Sequence, residues 1–158
     1  MSDPSLVQVP VRESVEPLID VETSAPLRVA GPGSGPMLRF GVVERLVVAQ
    51  SLLPRDVHLV IVAGHRPGDD GDAHPTGGAV DLALFDAGGE PPAELPCCDC
   101  DPVTPASPAC VRLMTEALTA AGLVNDVARW WHWSYGDRFW AYAVGASHAR
   151  YGPVTGLQ

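Results

Sequence analysis

Glycine and proline interrupt this chain at short intervals, and that feature restricts its fold more than any other. The 158 residues include 16 glycines and 16 prolines, and both residue types end helices or mark turns. The sequence therefore argues against a bundle of long helices. Hydrophobic residues make up 46% of the chain and charged residues 18%, which is typical of a globular protein. We expect one domain over 1–158, because this length can bury a core of its own.

The charge and the length of the apolar runs limit the partners. The net charge is −9, whereas a nucleic-acid partner requires a basic face. No run approaches the roughly 20 apolar residues that span a bilayer, and the first 17 residues lack the basic and apolar regions of a signal peptide. We therefore expect neither nucleic acid nor a membrane as partner, and we predict a cytoplasmic location.

The predicted location determines how we interpret the four cysteines. Thiols stay reduced in the cytoplasm, so Cys97, Cys98, Cys100 and Cys110 are interpreted first as free thiols. A structural zinc site is one alternative, although the adjacent pair at 97–98 lacks the usual Cys-x-x-Cys spacing. Disulfides are the other alternative, and the sequence leaves all three open.

Two segments have the apolar spacing of a helix. "FGVVERLVVAQSLLP" carries apolar residues on one helical face and stops at Pro54. "SPACVRLMTEALTAAGLV" begins with Ser107 as a candidate N-cap and Pro108 as the first helical residue. Its end is predicted at Gly122, because glycine commonly follows the last helical turn.

Short β-branched and aromatic runs predict the strands. "VHLVIVAGH" (57–65), "GGAVDLALFD" (77–86) and "RWWHWS" (129–134) are three of them. The N-terminal "LVQVPVRESVEPLIDV" is predicted to supply an edge strand, and "GDRFWAYAVG" to continue the sheet or flank it. The predicted fold class is α+β, with a small antiparallel or mixed sheet packed by two to four helices.

Two histidines and one aspartate stand out as candidate metal ligands. Asp81 lies in a predicted strand between apolar neighbours, where a carboxylate is costly unless it pairs or binds a cation. With His74 in the preceding loop and His132 among tryptophans, it matches the ligand set of a catalytic metal site. From spacing alone, a hydrogen-bonded core histidine is the commoner role for such a residue.

Four segments, in this order along the chain, resemble the D-alanyl-D-alanine dipeptidases, a family of zinc metallopeptidases. They are "VPVRESVEPLIDV", "VIVAGHRP", "HPTGGAVDLAL" and "AAGLVNDVARWWHWSYGDRFWAY". The family pattern is His-x6-Asp followed by Glu-x-x-His. The resemblance implies the metallopeptidase fold and zinc ligands at His74, Asp81 and His132. It also implies that Arg66 stabilises the oxygen charge of a tetrahedral intermediate; without the family context, Arg66 reads as a surface salt-bridge residue.

The sequence departs from the family pattern at the residue that serves as general base. Arg129 stands where the family has glutamate, and a guanidinium cannot accept a proton from water. Near the expected substrate, Asp72 replaces a serine and His65 replaces a tyrosine. Only "GDDGDA" separates Pro67 from the first histidine ligand, where the family has a long segment.

The tryptophans beside the last ligand are candidates for a substrate wall. Alternation along the strand places Trp131 and Trp133 opposite His132 and Trp130. Most of these rings are therefore expected in the core, and Trp130 is the one predicted to contact substrate.

Three functions follow from these residues. The first is a zinc enzyme redirected to Lewis-acid chemistry (cyclisation, elimination or isomerisation) on a small amino-acid-like or dipeptide-like substrate, in a secondary-metabolite context. Arg66 and Arg129 would hold its carboxylate, and iron is the alternative metal, because His-His-Asp is also an iron-binding triad. The second is an active D,D-dipeptidase that uses His65 or an acid from residues 69–72 as base. The third is a non-catalytic metal-binding or regulatory homologue. The sequence leaves the oligomeric state open.

Overall fold

The computed structural model describes residues 4–30, 36–67, 74–86 and 108–154. Within these ranges the fold is mixed α+β, as the sequence predicts. The five helices in the described ranges are α1 (Pro4–Val7), α2 (Val21–Ser24), α3 (Phe40–Leu52), α4 (Pro108–Ala120) and α5 (Arg138–Val144). The sequence predicted two to four; α1 and α2 are single turns, too short to show a periodic pattern. No helix in the described ranges is long and apolar enough to cross a bilayer.

Two sheets organise the strands, and both lie within the described residues. The strands are β1 (Leu18–Asp20), β2 (Arg28–Val29), β3 (Met37–Arg39), β4 (Val57–Ala63), β5 (Ala79–Asp86), β6 (Val124–Asp126) and β7 (Arg129–Ser134). The larger sheet has the order β2-β4-β5-β7-β6, and β1 pairs with β3 separately. Only β2–β4 is parallel, so the larger sheet is mixed. The predicted N-terminal strand exists as β1, but it belongs to the small sheet.

The two predicted helices are confirmed, and their ends follow the expected residues. Helix α3 buries its apolar side at Val42, Val43, Leu46 and Ala49 and ends two residues before Pro54. After α4, Gly122 adopts a left-handed conformation (φ +98°). Its amide donates to the carbonyl of Thr119 at 3.0 Å, which is the glycine C-cap that the sequence predicts. Ser107 lies outside the described residues.

The segment after β7 corrects the sequence interpretation. Residues 138–144 were expected to continue or flank the sheet, but they form α5. The Asp137 side chain accepts a hydrogen bond from the amide of Trp140 at 2.8 Å, and Gly145 closes the helix with φ +71°. Both capping residues were readable in the sequence. The aromatic content of the segment favoured a strand and concealed them.

Strands β4 and β5 form the centre of a shared apolar core. Both are buried along most of their length, and the core continues through α3, α4 and the end of β7. Trp133 is fully buried there, while Trp130 and Trp140 pack against the core from its margin. The prediction that most tryptophans serve the core is confirmed for Trp133 and Trp140, whereas Trp130, which was predicted to contact substrate, also packs against the core.

The side chain of Arg39 connects segments near the two ends of the described chain with the 3₁₀ turn that precedes β5. The residue is 3% exposed, and its guanidinium forms a bidentate ion pair with Glu13, at 2.7 Å (Nη2–Oε1) and 3.0 Å (Nη1–Oε2). It also donates to three backbone carbonyls, those of Glu16, Thr76 and Gly152. Since Thr76 ends the 3₁₀ turn that precedes β5, this arginine supports the segment that leads into the central strand.

We expect Arg39→Met to lower the free energy of unfolding by about 3 kcal/mol, because three partly buried carbonyls lose their donor and Glu13 loses its partner. Urea denaturation followed by circular dichroism measures the change. Arg138→Met is the matched control, because that exposed arginine donates a hydrogen bond to the carbonyl of Val9 and should cost less than about 0.5 kcal/mol. Equal losses in both variants would contradict the role assigned to Arg39.

Cys110 corrects a second expectation. The sequence favoured free thiols, but Cys110 in α4 is disulfide-bonded. Cys97, Cys98 and Cys100 lie outside the described residues. Disulfides are typical of oxidising compartments, so this bond weakens the premise of reduced thiols, and the cytoplasmic location stays a prediction.

Candidate metal centre

Strand pairing places two of the three candidate ligands side by side. Asp81 on β5 is the direct cross-strand partner of His132 on β7, and directly opposed residues project from the same face of a sheet. His74 begins the 3₁₀ turn before β5. Gly77 follows that turn with φ +73°, a conformation that favours glycine. The turn at Gly77 therefore brings the side chain of His74 next to that of Asp81.

The three side chains converge on one carboxylate oxygen. Oδ1 of Asp81 lies 2.8 Å from Nδ1 of His132 and 3.2 Å from Nε2 of His74. One candidate ligand atom from each residue lies within 4.8 Å of the other two. Both imidazoles are buried and Asp81 is largely so. These residues, drawn from distant parts of the chain, form a group that can hold a metal ion.

A backbone carbonyl fixes the orientation of His74. Its Nδ1 lies 2.7 Å from the carbonyl oxygen of Gly64. A carbonyl only accepts hydrogen bonds, so Nδ1 carries the proton and Nε2 is directed toward Asp81. Orientation of one ring nitrogen by a carbonyl is the arrangement that metal-binding histidines use.

The same geometry provides a test of whether a metal fits. With its proton on Nδ1, a neutral His74 presents a lone pair on Nε2 to the carboxylate of Asp81, and two acceptors repel at that distance. Either a second proton or a cation between the two groups removes the conflict. Two imidazoles and one carboxylate are ligands that zinc and iron both accept, so the residues fit a divalent metal ion.

Electrostatics keep the carboxylate ionised. Burial by itself raises the pKa of Asp81, but hydrogen bonds and charge interactions with the imidazoles of His132 and His74, where these carry a proton on both nitrogens, outweigh it. The net effect is a pKa well below the ordinary value for aspartate. Asp81 is therefore an anion at neutral pH, the form that binds a cation.

For Arg66 and His65, two of the other predicted site residues, the structure shows the exposure and the neighbouring groups. Arg66 is exposed, and its backbone amide lies 3.4 Å from the carbonyl oxygen of His74, so its backbone lies beside the first ligand. His65 is half-buried, and its buried Nε2 has no hydrogen-bond partner among the described residues. Asp72 and the rest of residues 69–72 lie outside the described residues.

Arg129 and Trp130 have contacts of their own. Arg129 has a side chain 39% exposed, and its Nε donates to Oδ2 of Asp126 at 2.9 Å. Trp130 is half-buried, and its ring meets that of Trp131 edge to face at 5.7 Å between centroids. A role in substrate binding or catalysis stays a prediction for both.

Sequence reasoning missed three groups beside the candidate ligands. The carbonyl of Gly64 could not be found, because a backbone acceptor has no residue signature. Asn125 was readable as a polar residue in a short strand next to the ligand strand. Asp137 is fully buried, and burial raises the pKa of its carboxyl group; its position between a strand and a helix was the available signal.

Comparison with other proteins adds no relative. No protein-family model matches the chain, and a search of curated proteins finds no match. The function of the chain is therefore inferred from the chemistry of its side chains.

Proposed function

We propose that this protein is a zinc-dependent enzyme built on the scaffold of the D-alanyl-D-alanine dipeptidases and redirected from ordinary dipeptide hydrolysis. One observation carries the proposal, namely that His74, Asp81 and His132 converge within 4.8 Å. Sites with three protein ligands are typical of catalytic zinc, because a fourth position is left for water or substrate. The four segments that resemble the family supply the ligands in the expected order.

A divalent ion held by these residues would supply Lewis acidity to a substrate carbonyl. The chain's own part is to hold the ligands in place. The hydrogen bond from His74 to the Gly64 carbonyl orients one imidazole. The strand pairing between β5 and β7 fixes the other two ligands relative to each other.

Arg129 supports a reaction other than hydrolysis. The family's glutamate removes a proton from water, and a guanidinium cannot accept one. In the structure Arg129 is paired with Asp126 and remains partly exposed. Cyclisation, elimination or isomerisation of an amino-acid-like substrate needs no hydrolytic water, and these are the reaction classes we propose. The proton that such a reaction removes must pass to a base other than Arg129.

The substrate we propose carries a carboxylate. Arg66 is exposed next to the first ligand, and Arg129 lies three residues before the last. Guanidinium groups bind carboxylates in bidentate fashion, and an arginine near each of two candidate ligands in a strongly acidic chain supports such a substrate. A small amino acid or dipeptide-like molecule matches this chemistry.

One observation favours a second candidate, an active D,D-dipeptidase with a substitute base. Nε2 of His65 is buried and has no hydrogen-bond partner in the part of the chain that the structure describes, and His65 adjoins Gly64, whose carbonyl accepts a hydrogen bond from the first ligand. An imidazole with a vacant nitrogen can accept a proton from water. Residues 69–72, the other source of a base, lie outside the described residues.

Metal analysis and incubation with D-Ala-D-Ala test the proposal together. We expect about one equivalent of zinc per chain. We also expect D-alanine to be released about 10²–10⁴ times more slowly than by a dipeptidase that has its general base. Rapid release that His65→Ala abolishes would replace the first candidate with the second. A purified protein that binds neither zinc nor iron would contradict both candidate functions, and with them the proposal that the protein is an enzyme.

A further inference from the structure

Strand β7 is irregular where it carries its metal ligand. Asp126 pairs with Arg129 across a two-residue turn, yet the next pair joins Asn125 to Trp133. Three residues of β7, 130–132, therefore face no partner on β6. On its other edge β7 remains in register, with His132 opposite Asp81. The bulge therefore interrupts the pairing of β7 with β6 and leaves its pairing with β5 intact.

A single side chain replaces the missing strand partners. Nδ2 of Asn125 lies 2.9 Å from the carbonyl oxygen of His132. The same nitrogen lies 3.1 Å from the carbonyl oxygen of Arg129 and 3.3 Å from that of Trp130. An amide has two hydrogens for three acceptors, so the carbonyls must stay clustered around it to share them.

We propose that Asn125 is the positioning residue of the metal centre, because its amide holds the β7 bulge and so directs the imidazole of His132 toward Asp81. The inference rests on the proposed function only in taking His132 as a metal ligand. Without the amide donors, the carbonyls would seek partners on β6 by ordinary pairing. A shift in strand register by one residue turns a side chain to the opposite face of the sheet, and His132 would then leave Asp81.

Asn125→Asp is the most direct test, because it keeps the shape of the side chain and replaces the donors with an acceptor. We expect the affinity for zinc and cobalt(II) to fall about 10–100-fold, the range found when groups that orient a metal ligand are removed. The visible absorption of the cobalt(II) form should also change, because that spectrum reports ligand geometry. Asn125→Ala removes the donors without adding repulsion and serves where the first variant does not fold.

Gln50→Glu is the matched control. The Gln50 amide also bridges two backbone groups, donating to the carbonyl of Val57 at 2.9 Å and accepting from the amide of Leu59 at 2.7 Å. It joins α3 to β4 and touches none of the ligands. We expect the same exchange of amide for carboxylate to lower stability there but to leave metal affinity and the cobalt spectrum unchanged.

A readout without metal separates this inference from the proposed function. Long-range proton–nitrogen spectra of the imidazoles should show a changed His132 in Asn125→Asp, while His74, held by Gly64, stays as in the wild type. If the wild-type protein binds no metal, the proposed enzyme function is refuted. The imidazole spectra of the metal-free protein would still show whether Asn125 orients His132. Unchanged His132 signals, or variants that bind cobalt as the wild type does, would overturn it.

Discussion

Replacement of His132 by alanine should lower the affinity for zinc by roughly 10³-fold. Structural zinc sites contribute about 10–16 kcal/mol in total, so one of three ligands accounts for roughly 4 kcal/mol, which corresponds to that factor. His132 lies 2.8 Å from Asp81, and removal of its imidazole leaves two ligands. Competition with a chromophoric chelator measures the affinity.

The same expectation applies to the other two ligands, and stability provides an independent measurement. Zinc at 100 times its dissociation constant should stabilise the wild type by about 2.7 kcal/mol, a rise of roughly 5–10 °C in Tm for a chain of this size. Asp81→Asn, which keeps the shape of the side chain, should lose that rise.

The control for the ligand variants is a histidine elsewhere in the chain. His148 is half-buried, its Nδ1 lies 2.9 Å from the hydroxyl of Ser147, and it is not among the converging residues. His148→Ala should bind zinc as the wild type does. A wild-type Tm that does not respond to zinc, or ligand variants that respond as His148→Ala does, would show that the three residues form a hydrogen-bonded core and not a metal site.

The second large effect is a gain of activity. Arg129→Glu should raise the hydrolysis of D-Ala-D-Ala by about 10²–10⁴-fold, because general-base catalysis contributes that much and a carboxylate can accept the proton that arginine cannot. Release of D-alanine measures the rate. The gain should require zinc and should disappear when His132→Ala is combined with it.

The contacts of Arg129 determine the controls for this variant. Its Nε donates to Asp126, so a glutamate in its place meets a second carboxylate. The combination with Asp126→Asn removes that repulsion and keeps the oxygen that accepts from the amide of Ala128. Arg129→Gln removes the cation without adding a base and should stay inactive. Equal gains from glutamate and glutamine would mean that the positive charge alone suppresses hydrolysis.

The elements that the sequence predicted are those with a strong local signal. Helix α3 was visible because four apolar residues share one face before Pro54, and α4 because Gly122 marks its end. Strand β4 was visible as a short apolar run rich in β-branched residues, and β5 as a mainly apolar run. Helix α5 was missed because its aromatic residues favour strands as strongly as its caps favour a helix.

The candidate site was predictable in its residues but not in its support. An aspartate between valine and leucine in a strand signals a partner, and histidines in two other segments supply it. The carbonyl of Gly64 and the amide of Asn125, which orient these ligands, come from segments whose distance along the chain conveys nothing about distance in space. The disulfide at Cys110 was likewise beyond reach, because spacing does not fix cysteine pairing.

The sequence by itself determined the fold class, the two long helices and the central strands, because each depends on local propensity, and the family resemblance added the identity of the three candidate ligands. Only the tertiary structure decided that those ligands meet. Strand pairing between β5 and β7, the bulge at residues 130–132 and the contact of Arg129 with Asp126 are set by which segments become neighbours. Neighbours are chosen by the packing of the whole core, and no local pattern encodes that choice.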